Sequence, residues 1–231
     1  TVQTIATVPN GGFMQVALNW DEPWGAATSN FDITLVDLNG APLPCSAPSG
    51  GQDDNLVTGL PQEIVTWSSS CAPGTQSVAL KIHRVFGTAS PLIKYIARRN
   101  GSAGSFSVSE YATDSDTINP DAASAKGAIT VAAVSATDPG TNTPEPYSSR
   151  GPKTRLFDKD GVRLAAPEIR IKPEVAAADA VATTVPAYLT FTGTSASVPS
   201  AASIAHRLHD GWNPISESRN RRAVASDIPL T

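Results

Sequence analysis

The stretch FTGTSASVPSAAS, residues 191–203, sets a serine behind a glycine at the head of a run of small residues. Just upstream, AYLTF is a short apolar strand candidate. Downstream, ASVPSAASIAHRLHDG reads as a helix, with Pro199 near its first turn and Gly211 past its end. Ser195 therefore stands where a strand hands over to a helix. The first N–H groups of a helix have no partner inside it, so such a turn can hold negative charge developing on a substrate oxygen. Gly193 and Ala196 keep bulk away, which leaves room for a carbonyl to approach. Gly193, Thr194 and Ser195 thus form a candidate nucleophile turn, with the Ser195 hydroxyl as attacking group. The competing reading is a serine that only caps a core helix.

A serine nucleophile needs a base, and the chain holds three histidines, His83, His206 and His209. His83 falls on the polar face of the strand candidate SVALKIHRV, a solvated position. His206 and His209 lie three apart on the helix that follows Ser195. A metal pair at that spacing finds no partner carboxylates in a recognisable motif, so a favourable interaction with the C-terminal end of the helix dipole is expected instead. Two cysteines and three scattered histidines make no zinc site. Asp53, Asp54 and Asp121 offer oxygens to Ca²⁺, but no spacing forms a calcium loop, and no cofactor is expected.

The elements that must position these groups fall into two rhythms. Residues 1–115 alternate: Met14, Val16, Leu18 and Trp20 share one face, as do Phe31, Ile33 and Leu35, then Val78, Leu80 and Ile82, then Phe106 and Val108. Period-2 runs separated by NGG, NGAPLP, PSGGQDD and APGT predict an antiparallel, jelly-roll-like β-sandwich without helices. Residues 116–231 change character. AITVAAV is a continuous small-apolar run, as in a strand buried on both faces of a parallel sheet, and IKPEVAAADAV and AYLTFTGTS carry two more strand candidates ahead of the helix. Strands leading into a helix predict an α/β domain, with the boundary in the polar stretch YATDSDTINP.

The 231 residues, 40% hydrophobic and 16% charged, can bury a core, which excludes a disordered chain. A net charge of −4 gives no reason to expect nucleic acid, and no apolar run approaches the roughly 20 residues of a membrane span. Cys45 and Cys71 leave two readings, one disulfide or two separate buried thiols. The even count in a Ser/Thr/Ala-rich, lysine-poor chain favours the bridge and an exported protein. Closing that loop would contribute about 3 kcal/mol in the chain-entropy picture. The opening TVQTIATVPNGG is neither a signal peptide nor an initiator methionine and reads as the interior of something longer.

Four motifs in the second half share one resemblance. Taken along the chain, PDAASAKGAITVAAV (Pro120–Val134), YSSRGP (Tyr147–Pro152), IKPEVAA (Ile171–Ala177) and GTSASVP (Gly193–Pro199) resemble, in family order, signatures of the subtilisin-like serine peptidases, the subtilases. The likeness covers residues 118–231. The sequence departs from the family pattern at Glu174, usually Asp, at Ala178, where a Gly or Pro-Gly would follow, and at Ser200–Ser203, usually His-Val-Ala-Gly. NWDEPWGAATSNFDITLVDLNG (Asn19–Gly40) resembles a β-sandwich inserted in some large bacterial subtilases, similar to the pre-peptidase C-terminal type, between the oxyanion Asn and the Ser-bearing half.

The resemblance implies a secreted or extracytoplasmic endopeptidase acting on proteins or peptides, with a three-layer α/β fold in its second half and Ser195 as nucleophile. The family triad runs Asp, His, Ser along the chain. KIHRVFG around His83 is nothing like the family's His-Gly-Thr helix start. Asp37 in TLVDLNG lacks the Asp-Ser/Thr-Gly pattern, and Asn100 in RRNGSAG is better explained as turn chemistry than as an oxyanion Asn. The Asp, the His and the oxyanion Asn are thus expected in a segment preceding Thr1, in an N-terminal part of the parent enzyme, and the chain alone is expected to be inactive. The alternative is a protein- or glycan-binding sandwich attached to a degenerate peptidase remnant, with Trp20, Trp24 and Trp67 as candidate contacts.

Overall fold

The computed structural model describes residues 2–8, 11–45, 47–70, 74–87, 92–100, 116–118, 121–138, 140 and 142–209. The chain divides into two compact units. The first comprises Thr1–Thr113 with Leu156–Pro167, and the second Asp114–Arg155 with Glu168–Thr231.

In the first unit, β1 (Val2–Val8), β2 (Phe13–Trp20), β3 (Asn30–Val36), β4 (Ser49–Gly50), β5 (Gln62–Ser68), β6 (Gln76–Phe86) and β7 (Ile93–Asn100) form two sheets, ordered β1-β6-β3 and β4-β5-β2-β7. Every pair is antiparallel, with Val16 opposite both Val65 and Ala97, and Leu35 opposite Leu80. The expected alternation is realised on β2, where Met14, Val16, Leu18 and Trp20 point inward. They meet Phe31, Ile33, Leu35, Val65, Trp67, Val78 and Leu80 in one buried cluster fed by both sheets, a β-sandwich. Trp20 and Phe31 join the sheets with ring centroids 4.9 Å apart. Trp67 hides its indole by donating Nε1–H to the Pro44 carbonyl, 3.2 Å away.

One element corrects the helix-free expectation. α1 (Asn55–Thr58) is a single turn, capped at its start by Asp54, which accepts the Leu56 N–H at 3.1 Å, and closed by Gly59 at φ 70°. Local caps, not a hydrophobic period, hold it. The fourth run, SFSVS, lies outside the described residues.

In the second unit, β8 (Val131–Ser135) pairs in parallel with β11 (Val175–Asp179), from Val131 opposite Val175 to Ser135 opposite Asp179. α2 (Thr194–His209) packs on both strands. The residues at this junction are small: Ala132, Ala133, Val134, Ala196 and Ser197 are buried, so helix and strands approach closely. Between β8 and β11 along the chain, Lys153–Phe157 (β9) and Arg163–Arg170 (β10) form a two-stranded hairpin whose tip, Leu156–Pro167, belongs to the first unit; in its turn DKDG, Asp158 accepts the N–H groups of Asp160 and Val162, each at 2.9 Å. β12 (Val181–Ala182) pairs with β13 (Thr190–Phe191), so the AYLTF strand shrinks to two residues behind a 3-10 turn at Pro186–Tyr188.

Candidate active site

Ser195 is the second residue of α2, four positions past β13. Gly193 turns the chain into the helix at φ 99°, a conformation that disfavours any Cβ. Ser195 is exposed, and among the described residues nothing hydrogen-bonds its Oγ. The helix start sorts its donors. Ala196 and Ser197 give their N–H groups to the Gly193 carbonyl at 2.9 and 3.3 Å, while Gly193 gives its own to Asp179 Oδ2 at 2.9 Å. The N–H groups of Thr194 and Ser195 are left without partners among the described residues, as helix starts leave theirs. Pro199 lies inside the helix, one turn beyond Ser195. It has no N–H for the Ser195 carbonyl, so the backbone at the serine is not locked by the usual ladder bond.

Asp179 is the residue the sequence did not single out. It ends β11 at 1% exposure, at the carboxyl end of the parallel pair. Its Oδ2 accepts the Gly193 N–H and the Tyr147 hydroxyl, while Oδ1 is buried without a hydrogen-bond partner among the described residues. Burial and the bond to Asp179 push the Tyr147 phenol up to about 12, so it stays a donor across the physiological range.

The other three motifs converge on the same frame. Ser148 of YSSRGP is buried and accepts the Ala133 N–H of β8 at 3.0 Å. Gly151 of the same motif lies flat against the Lys172 carbonyl of IKPE. Lys172, 5% exposed, donates to the Ala128 carbonyl at 2.6 Å and pairs with Glu174, whose other oxygen accepts the Thr130 N–H at 2.7 Å. Burial pushes the Glu174 carboxyl up, but the Lys172 and Thr130 donors outweigh it and hold the group below its ordinary value. Glu174 thus clamps the entry to β8.

No described histidine of this unit reaches the serine. His206 lies eleven residues along the helix from Ser195 and His209 fourteen. At a rise of about 1.5 Å per residue, that is about 16 and about 21 Å along the axis. His83 lies in the first unit, opposite Asp32 on the outer face of the sandwich. It borders a depression of about 270 Å³ lined also by Thr34, Gln52 and Lys81. Asp37 is spent on a turn, accepting the N–H groups of Asn39 and Ala41 at 2.8 and 2.7 Å. Asn100 ends β7 opposite Phe13, in a strand rather than a turn.

Of the tryptophans, Trp20 and Trp67 are core, and Trp24 is 63% exposed. Asp54 caps α1, and no cluster of three metal-ligating side chains stands among the described residues. No free thiol stands among them either, and Cys71 lies outside them. No described helix is long and apolar enough to cross a membrane. Comparison with known proteins found no matching family model, no matching curated protein and no matching solved structure.

Proposed function

We propose that this chain carries the nucleophile of an exported subtilisin-like serine endopeptidase, its second unit being part of a three-layer α/β catalytic domain. The observation that carries the reading is Ser195 itself, exposed on the first turn of α2 with an Oγ and a backbone N–H that have no partner among the described residues. In that arrangement Oγ attacks the peptide carbonyl, a histidine takes its proton, and the Ser195 N–H donates to the oxyanion. One such donor is worth about 10²–10³ in rate. The described histidines on α2 lie too far along the helix to serve as base. The motif order assigns the base, its Asp and the oxyanion Asn to an N-terminal part of the parent enzyme, without which the chain is inactive. The substrate is a protein or peptide, and no cofactor takes part.

The test is fluorophosphonate labelling read by peptide mass spectrometry, on the chain alone and mixed with the segment encoded upstream. Ser195 is expected to label in the mixture at least about 10³-fold faster than alone, the scale of a missing triad member. Labelling in neither sample, with both folded, would reject Ser195 as nucleophile. Labelling of the chain alone would reject an absent base. Export goes with a Cys45–Cys71 disulfide, which we also propose. The intact mass is expected two hydrogens below that of the dithiol and to rise on reduction, and an unchanged mass would leave two thiols.

A further inference from the structure

We propose that Asp179 is a positioning residue for Ser195, acting through the Gly193 amide, with Tyr147 as the second half of the same latch. This rests on the reading of Ser195 as nucleophile. Three segments far apart in the chain meet at one carboxylate oxygen: Tyr147 from the loop after β8, Asp179 from the end of β11, and Gly193 from the turn before α2. Both donors converge on Oδ2. The Gly193 N–H is the group whose direction fixes how the chain enters the helix one residue before Thr194. Holding it inward at 2.9 Å leaves the Thr194 and Ser195 N–H groups as the donors of the turn with no partner among the described residues.

The chemistry argues for a role beyond packing. A carboxylate at 1% exposure with one oxygen lacking a hydrogen-bond partner among the described residues is a poor device for stability, since burying charge costs more than an imperfect pair of bonds returns. Two donors on one charged acceptor are, however, a strong constraint on geometry. The left-handed Ala180 (φ 53°) directly after Asp179 is a second local strain held at this corner. Pro199 has removed the ladder bond that would otherwise stiffen the Ser195 backbone, so the turn depends on what grips it from outside the helix.

Asp179→Ala removes the grip, whereas Asp179→Asn keeps one acceptor oxygen for the Gly193 N–H while losing the charge and turning the other oxygen into an NH2 group. Each variant is measured in three ways: thermal unfolding, hydrogen exchange at the Gly193 amide, and fluorophosphonate labelling of Ser195 in the presence of the upstream segment. Asp179→Ala is expected to exchange Gly193 at least about tenfold faster and to label at least about tenfold slower while still folded, with Asp179→Asn recovering most of both. The Tyr147 phenol, titrated by ultraviolet difference, is expected to fall from about 12 toward its ordinary value in Asp179→Asn. A folded Asp179→Ala that labels within twofold of the parent would overturn the inference and leave the nucleophile standing. An unchanged Gly193 exchange rate would overturn the latch by itself. A parent that does not label rejects the nucleophile reading and with it the positioning role, while the exchange rates still report whether the latch exists.

Discussion

Gly151→Ala is expected to be among the most damaging single-methyl changes in this protein, lowering stability by about 3 kcal/mol or more. A Cβ at this position would overlap the Lys172 carbonyl oxygen and stand 2.8 Å from its carbon. Neither side can yield cheaply. Lys172 is buried, tied to the Ala128 carbonyl and to Glu174, and Glu174 in turn holds Thr130 at the start of β8. Pushing Lys172 away would therefore shift the strand that α2 packs on. The control is Gly127→Ala, where nothing lies within 4 Å of the added carbon; it is expected to stay within about 0.5 kcal/mol of the parent. Thermal or urea unfolding of the two variants side by side decides the matter. Equal midpoints would mean that the contact between the YSSRGP and IKPE segments is not held as tightly as drawn.

Glu22→Ala should cost the sandwich about 3–5 kcal/mol. The Glu22 carboxylate accepts five hydrogen bonds: from Trp20 Nε1 at 3.1 Å, from the N–H and hydroxyl of Thr28 at 2.8 and 2.9 Å, and from the N–H and hydroxyl of Ser29 at 3.0 and 2.7 Å. Ser29 is 1% exposed, so alanine would take the carboxylate away from two buried donors beside the Trp20–Phe31 contact. Burial pushes the Glu22 carboxyl up, but these donors overcome it and bring the group from 4.5 down to about 2. A folded-state value below the unfolded one stabilises above pH 4.5 and is lost as pH falls from 4.5 toward 2. After solvent screening this pH-dependent part is about 1–2 kcal/mol. Glu22→Gln should flatten the acid limb of the unfolding curve between those values. An acid limb unchanged in Glu22→Gln would place the titrating carboxylate elsewhere.

The parts of this fold written in local pattern were legible, and the parts written in long-range chemistry were not. Met14, Val16, Leu18 and Trp20 announce β2 because every second side chain of a strand meets the same core. The helix after Ser195 was legible because it has a glycine at its mouth and small residues along its face. The β9–β10 hairpin was missed although its turn, DKDG, is plain in the sequence; KTRLF and RLAAPEIR alternate too weakly to read as strands, and their residues are partly exposed throughout. Asp179 could not be read at all. Its partners stand 32 and 14 residues away, and a carboxylate in a run of alanines carries no local sign of what it will grip. Glu22 stands in the stretch WDEPWG, and nothing there says that five donors converge on it.

The way the units divide the chain bears on how such a protein can be taken apart or recombined. The first unit is not one continuous stretch. It takes in Leu156–Pro167, so the path changes unit after residues 113, 155 and 167. Within that unit Arg163 pairs with Asp21 and donates to its carbonyl at 3.2 Å, next to the Glu22 knot. A single cut at the polar stretch near residue 114 would strip the sandwich of this tip and leave Asp21 facing water. Gene shuffling that treats the sandwich as a cassette with one joint at each end would inherit that defect. An exchange that keeps it whole has to carry the hairpin tip as a separate piece.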